Sequence, residues 1–130
     1  MSDASKPVVL VVEDDRLICE MVAILLRARG CAVEQAHDGL AALQIVEQHL
    51  PPAPPLNLIL LDVRLPLLDG QDLLGYLRKR GISVPVIAMS SHREALAAAA
   101  SLGAQATVEK PFDLDQLLAL VQRSLAGQAR

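Results

Sequence analysis

Four groups of polar residues stand directly behind short apolar runs. Glu13-Asp14-Asp15 follow VVLVV, Asp62 follows LILL, Ser90 follows VIAM, and Glu109-Lys110-Pro111 follow a short run that ends at Val108. A carboxylate is the group least suited to the end of a buried strand. Each group alone has an ordinary explanation: a helix cap with a solvated loop, a turn, or a satisfied hydroxyl. Brought together they could do chemistry. Carboxylates ~5 Å apart repel by roughly 3 kcal/mol per pair at an effective dielectric of 20, so either a proton or a cation must hold them. All-oxygen ligands that leave room for water suit Mg²⁺. An aspartate beside such a cation, a lysine and a hydroxyl is equipped to accept a phosphoryl group. The carboxylate is then the nucleophile, the cation and Lys110 neutralise the equatorial oxygens, and Ser90 donates a hydrogen bond.

The elements that must position these groups alternate along the chain. Val8 to Val12 is a continuous apolar run that reads as a buried strand. Ile18, Met21, Val22, Leu25 and Leu26 mark the inward face of the first helix, and Gly30 stops it. Cys31 to Ala36 alternates as a strand, with Cys31 and Val33 on one side. Asp38 caps a second helix carrying Leu43, Val46 and Leu50, which Pro51 and Pro52 end. PPAPP, Pro51 to Pro55, reads as a stiff extended connector to the third strand, Leu58 to Leu61.

Asp69, with Asp72, opens the third helix, with Leu73, Leu74 and Leu77 inward and Gly81 as its stop. Val84 to Met89 is the fourth strand. Ser91 and Glu94 have capping-box spacing at the start of the fourth helix, as do Asp113 and Gln116 at the start of the fifth. Between those helices lies a short fifth strand, about Ala104 to Val108. Leu114, Leu117, Leu118, Val121 and Leu125 form the stripe of the last helix. Five strand–helix units imply an α/β fold with a parallel sheet and helices on both faces. Sites in such sheets form outside the carboxyl ends of the strands, where the four polar groups fall.

Composition narrows the function. The chain has 130 residues, 52% of them hydrophobic but only 2% aromatic, so its core is Leu, Val, Ile and Ala. That length predicts one domain over residues 1–130, with its core at about 7–126. A formal charge of −3 argues against a nucleic-acid surface. Arg78-Lys79-Arg80 is read as cations favouring the end of the third helix. The first apolar run is too short for a signal-peptide core, and no run approaches the roughly 20 residues of a membrane span, so a cytoplasmic location is expected. Cys19 and Cys31 fit no metal spacing and read as reduced packing residues. His37, His49 and His92 read as surface positions.

VVEDD, LLDVRLPLLDG, PVIAMSS and the GA…EKPF pattern from Gly103 to Phe112 together resemble the receiver domain of two-component response regulators. The resemblance covers about Pro7 to Ala126. It implies a doubly wound (βα)5 fold of flavodoxin-like strand order 2-1-3-4-5, an order shared by flavodoxin and the chemotaxis receivers. It further implies Asp62 as phospho-acceptor, and Asp14 as a direct Mg²⁺ ligand with Glu13 acting through water. The Arg64 backbone carbonyl is another implied ligand. Ser90 matches the switch hydroxyl, and Lys110 the lysine before a cis-proline, here Pro111. Asp15 is better read as cap of the first helix than as a ligand. The implied partners are a histidine kinase or histidine phosphotransfer protein, a downstream protein target and, as a further arrangement, a second copy of the chain. The Met1 start and the short tail after Leu125 favour a stand-alone regulator over the receiver half of a longer one.

Two features depart from the family or leave alternatives open. The family usually carries an aromatic residue on the fifth strand, three positions before the lysine; here it is Thr107. The alanine-rich fourth helix, Ala95 to Ala100, is either built for helix propensity or weakly anchored and movable. Arg64 is either a solvated loop cation or a modulator of the phosphorylated state. A flavin binder would need stacking aromatics and a hydroxyl- and glycine-rich loop after the first strand. A phosphatase with an Asp-x-Asp nucleophile motif would need a second aspartate where Arg64 stands. No Gly-x-x-x-x-Gly-Lys loop is present either. An interaction module that works without phosphorylation is the remaining alternative, and the complete set Glu13, Asp14, Asp62, Ser90 and Lys110 speaks against it.

Overall fold

The structure is a computed structural model that describes residues 6–128. The ends of the expected 1–130 domain lie outside the described residues. Five strands alternate with five helices: β1 Val8–Val12, α1 Arg16–Ala28, β2 Ala32–Ala36, α2 Gly39–Gln48, β3 Leu58–Asp62, α3 Gly70–Lys79, β4 Val86–Ser90, α4 Arg93–Ser101, β5 Ala106–Glu109 and α5 Leu114–Ala126. All strand pairs are parallel and the order is β2-β1-β3-β4-β5, the expected doubly wound order.

Period-two alternation sorts the strand residues into two cores. Val9, Val11, Leu58, Leu60, Ile87 and Met89 pack with α1 and α5 on one face. Leu10, Val12, Ile59, Leu61, Val86 and Ala88 pack with α2, α3 and α4 on the other. Every residue of β3 and β4 is buried, as expected of strands covered on both faces. The edge strands β2 and β5 are only partly covered.

Several local expectations need correction. The face of α1 that meets the sheet is Cys19, Val22, Ala23 and Leu26, while Met21 is 40% exposed. The small Cys19 and Ala23 bring the helix close to the sheet, which rotates Met21 outward. β4 begins two residues later than expected and includes Ser90. Ser91 and Glu94 form no capping box: His92 is the N-cap of α4, without a side-chain cap bond. Asp69 is the N-cap of α3 by position only, since its carboxylate accepts from Leu65 N at 3.4 Å instead. Asp113 accepts from Asp115 N at 2.8 Å, a cap without the reciprocal Gln116 bond. Asp15 and Asp38 cap as expected, accepting from Ile18 N at 3.1 Å and Ala41 N at 2.7 Å.

His37 and His49 are both partly buried rather than surface groups. The Nδ1 of His37 lies 3.0 Å from the Glu13 carbonyl. Arg78 does more than favour the end of α3. Its guanidinium donates to the carbonyls of Ile82 at 2.7 Å and Val84 at 2.9 Å, and burial lowers its pKa. The two cysteines are free and buried, as expected of packing residues.

Candidate functional site

Alternation also aims the site. Glu13, Asp62 and Lys110 continue the same parity as Val9-Val11, Leu58-Leu60 and Ala106-Val108, so they emerge on the α1/α5 side as their strands end. Register completes the meeting. Asp62 pairs with Met89, and Glu109 with Ser90, which sets Lys110 one step beyond the end of β5. Its amide donates to the Ser90 carbonyl at 2.8 Å, and the peptide bond to Pro111 is cis, as the resemblance implied.

The Lys110 ammonium then bridges two carboxylates. Nζ donates to Glu13 Oε1 at 2.6 Å and to Asp62 Oδ2 at 2.8 Å. The second oxygen of each is also used: Glu13 Oε2 accepts from Asp15 N at 3.1 Å, and Asp62 Oδ1 from Arg64 N at 3.0 Å. Asp14 stands exposed beside them, and ligand oxygens of Glu13, Asp14 and Asp62 lie within 4.8 Å of one another. Three carboxylates against one ammonium leave an excess of negative charge that fits a divalent cation with oxygen ligands.

Burial sets the electrostatics. Glu13 is 1% exposed, and burial pushes its carboxyl up to about 7 although Lys110 and the Asp15 amide pull the other way. Burial alone would lower the Lys110 ammonium, but its bonds to Asp62 and Glu13 outweigh that and raise it. The lysine therefore stays charged between its two acceptors.

Ser90 occupies the opposite parity, on the α4 side of the sheet. It is 1% exposed, and its Oγ accepts from His92 N at 3.0 Å. Thr107 pairs with Ala88 and is exposed at the sheet edge. The Arg64 side chain is exposed at the mouth.

Glycines let the loops close on this site, a role sequence reading missed. A Cβ on Gly39 would run into the Leu68 carbonyl, and one on Gly70 would run into the Asp62 carbonyl. The signal was available in Asp38-Gly39 and Asp69-Gly70, but it could equally mark ordinary helix starts. Between these contacts the loop after β3 is tight: Leu68 N donates to Pro66 O at 2.8 Å around Leu67, whose φ is 69°. A leucine there is strained, which holds only if its surroundings over-determine the turn.

Known proteins share the sequence pattern and the fold. The response regulator receiver domain family matches residues 9–122. The chain belongs to that family. Response regulator MprA of Mycobacterium ulcerans is 35% identical over 119 residues, an alignment that covers 90% of this chain and 49% of the relative. MprA of Mycobacterium tuberculosis strain H37Rv is likewise 35% identical, with 50% of its length covered. The chain thus spans about half the length of the curated relatives it matches.

Among solved structures, the receiver domain of Francisella response regulator 1452 superposes with a TM-score of 0.85 at 30% identity, covering 95% of this chain and 99% of that one. The receiver domain of NtrX from Brucella abortus gives 0.79 at 34% identity, covering 91% and 98%. The receiver domain described here is therefore a signalling module of two-component systems. Among its described residues no helix is long and apolar enough to cross a membrane.

Beside the receiver's acidic cluster lies an apolar surface, of which sequence reading places Met21 in the core and does not single out Leu17 or Ile24. Leu17, Met21 and Ile24, spaced along one face of α1, are 78%, 40% and 54% exposed. Ile18, Met21, Pro111, Phe112 and Leu114 line an adjoining cavity of about 470 Å³ that Lys110 also borders.

Proposed function

We propose that this receiver domain takes a phosphoryl group onto Asp62 from a phosphohistidine on a partner protein, and signals by protein contact. The observation that carries the reading is the Lys110 bridge, which holds Asp62 in place and leaves its carboxylate beside Glu13 and Asp14. In the transfer, an Asp62 oxygen forms a bond to phosphorus as the P–N bond to the donor histidine breaks, and the imidazole leaves with the bonding pair. Lys110 neutralises charge that develops on the phosphoryl oxygens. The Ser90 hydroxyl would donate to the product once its own contact with His92 N rearranges, which gives the segment from Ser90 into α4 a reason to move.

Glu13, Asp14 and Asp62, with the Arg64 carbonyl, are the groups that would hold Mg²⁺. When bound, the cation supplies charge neutralisation at the acceptor and the phosphoryl oxygens. Asp15 is committed to capping α1, which supports leaving it outside that set. The apolar face of α1 and the loop after β5 supply a surface for the phosphodonor next to the acceptor, and residues 1–130 form one receiver unit in this reading.

The direct test is intact-mass spectrometry after incubation with Mg²⁺ and acetyl phosphate. The protein should gain one phosphoryl group, Asp62→Asn should gain none, and chelation of Mg²⁺ should abolish the gain. A wild-type protein that stays unmodified under these conditions would favour an interaction module that works without phosphorylation.

A further inference from the structure

At the end of the sheet opposite the acidic cluster, His49 caps the C-terminus of α2 with both ring nitrogens engaged. Nε2 lies 2.6 Å from Glu34 Oε2 on β2, and Nδ1 lies 2.9 Å from the Pro54 carbonyl in the Pro51–Pro55 connector. A carbonyl oxygen only accepts, and so does an ionised carboxylate. A ring that holds both contacts must therefore carry a proton on each nitrogen. A neutral imidazole has one N–H and must give up one of the two.

The contact that ties the connector is an unusual resource for it. Four of its five residues are prolines and bring no amide hydrogen. Ala53 N bonds back to Leu50 O at 3.0 Å, and the next anchors are at Asn57, whose amide donates to Val8 O and whose Oδ1 accepts from Val8 N, both at 2.8 Å. Between them, the His49 ring joins the connector to β2. Behind it lies a cavity of about 500 Å³ walled by His49, Pro51, Pro55, Leu56, Ile82 and Val84.

We propose that His49 is a proton-operated latch: as an imidazolium it pins the connector to β2, and its deprotonation frees the connector, which forms one wall of that cavity. The charged groups around it favour this. Glu34 on β2 is the acid that faces the ring, with its side chain 39% exposed against 15% for His49. On α2 itself, Glu47 is paired with Arg80 at 3.7 Å. The connector, the segment 81–85 and Gln128, which line the same cavity, bring no titratable side chain. Burial alone would lower the pKa of His49, but the bonds to Glu34 and Pro54 and the Glu34 charge outweigh it and raise it. The latch therefore stabilises the fold fully below the unfolded histidine value of about 6.5, and that stabilisation is lost as pH rises through the folded value.

The test is an NMR pH titration of the full isotope-labelled chain. Below its midpoint His49 should show two protonated ring nitrogens, and above it one. The amide signals of Ala53 and Leu56 should shift with the same midpoint, and hydrogen exchange there should speed up. Glu34→Gln, which keeps the side-chain shape and removes the charge, should move the midpoint down. A singly protonated His49 ring in mild acid overturns the proposal. So do connector amides that stay still through the His49 titration, or an unchanged midpoint in Glu34→Gln. His49→Gln should abolish the pH step in chemical-denaturation stability, and a step that survives also overturns it. If that variant does not fold, the wild-type titration still decides.

Discussion

The Lys110 ammonium sits 2.8 Å from the Asp62 carboxylate across 48 positions of sequence, and the same nitrogen reaches Glu13 at 2.6 Å. One side chain thereby ties the ends of β1, β3 and β5 together. The arrangement also explains how Glu13 can be buried at all: a charged donor on one oxygen and a backbone donor on the other offset part of the burial cost that pushes its carboxyl up to about 7.

Lys110→Ala should therefore slow phosphoryl uptake from acetyl phosphate. Losing a charge-assisted bond to the reacting group costs about 1.5–3 kcal/mol, which corresponds to a rate lower by about 10- to 150-fold. A time course of intact-mass spectra at saturating Mg²⁺ measures it. A rate unchanged from wild type would remove the lysine from the phosphotransfer machinery.

The apolar face of α1 leads to a separate prediction, because its side chains make no hydrogen bond to Asp62 or the cation ligands among the described residues. Leu17→Ala and Met21→Glu should leave uptake from acetyl phosphate intact and weaken uptake from a phosphohistidine protein. Burying a large apolar side chain is worth about 1.5–3 kcal/mol, so KM for the protein donor should rise by about 10-fold or more. Equal losses with both donors would mean that the substitutions disturb the site and not a docking surface.

Much of this architecture was legible in the sequence. Short apolar runs ending in polar residues gave the strands, and placed Glu13, Asp62, Ser90 and Lys110 at or just beyond their carboxyl ends, where the sites of such sheets form. The details that were not legible depend on partners distant in sequence. Met21 looked inward by helical spacing, yet the tight approach of Cys19 and Ala23 sets the rotation of α1. The capping-box spacing of Ser91 and Glu94 is real, but the helix starts one residue later than that pattern requires, at a position set by how the chain leaves β4. His49 looked like a surface histidine because neither Glu34 nor the Pro54 carbonyl can be placed against it before the fold is known. Arg78 carried no sign of the carbonyls it reaches, since carbonyls have no sequence signature.

Gly39→Ala should be destabilising out of proportion to one methyl group. The added Cβ meets backbone, the Leu68 carbonyl, and neither α2 nor the strained turn at Leu67 can yield cheaply. Overpacking of this kind costs about 1–3 kcal/mol, a fall in Tm of about 4–12 °C for a domain of this size. Gly75→Ala is the control, because nothing lies within reach of a Cβ there and the change favours the helix. Thermal melts of the two variants compare them, and equal Tm values would show that the loop after β3 is not tightly held by α2.

Arg64 tests the mouth of the site. Its backbone amide is spent on Asp62 Oδ1, and its exposed side chain is free to reach a phosphoryl group on the same residue. An exposed ion pair contributes about 0.2–1 kcal/mol, so a guanidinium that pairs with the phosphoryl oxygens and shields them from water can lengthen the lifetime by up to about 5-fold. Arg64→Ala should shorten the lifetime of phospho-Asp62 by that factor, and Arg64→Lys should retain part of the effect as a charge without the planar fork. Stability should change by less than about 0.5 kcal/mol, as for other exposed positions. The decay of the phosphorylated mass peak after removal of the donor gives the lifetime directly. Because high salt screens an exposed pair, the wild-type lifetime should also fall toward that of Arg64→Ala as ionic strength rises. A lifetime indifferent to both the substitution and the salt would leave Arg64 as a solvated loop cation.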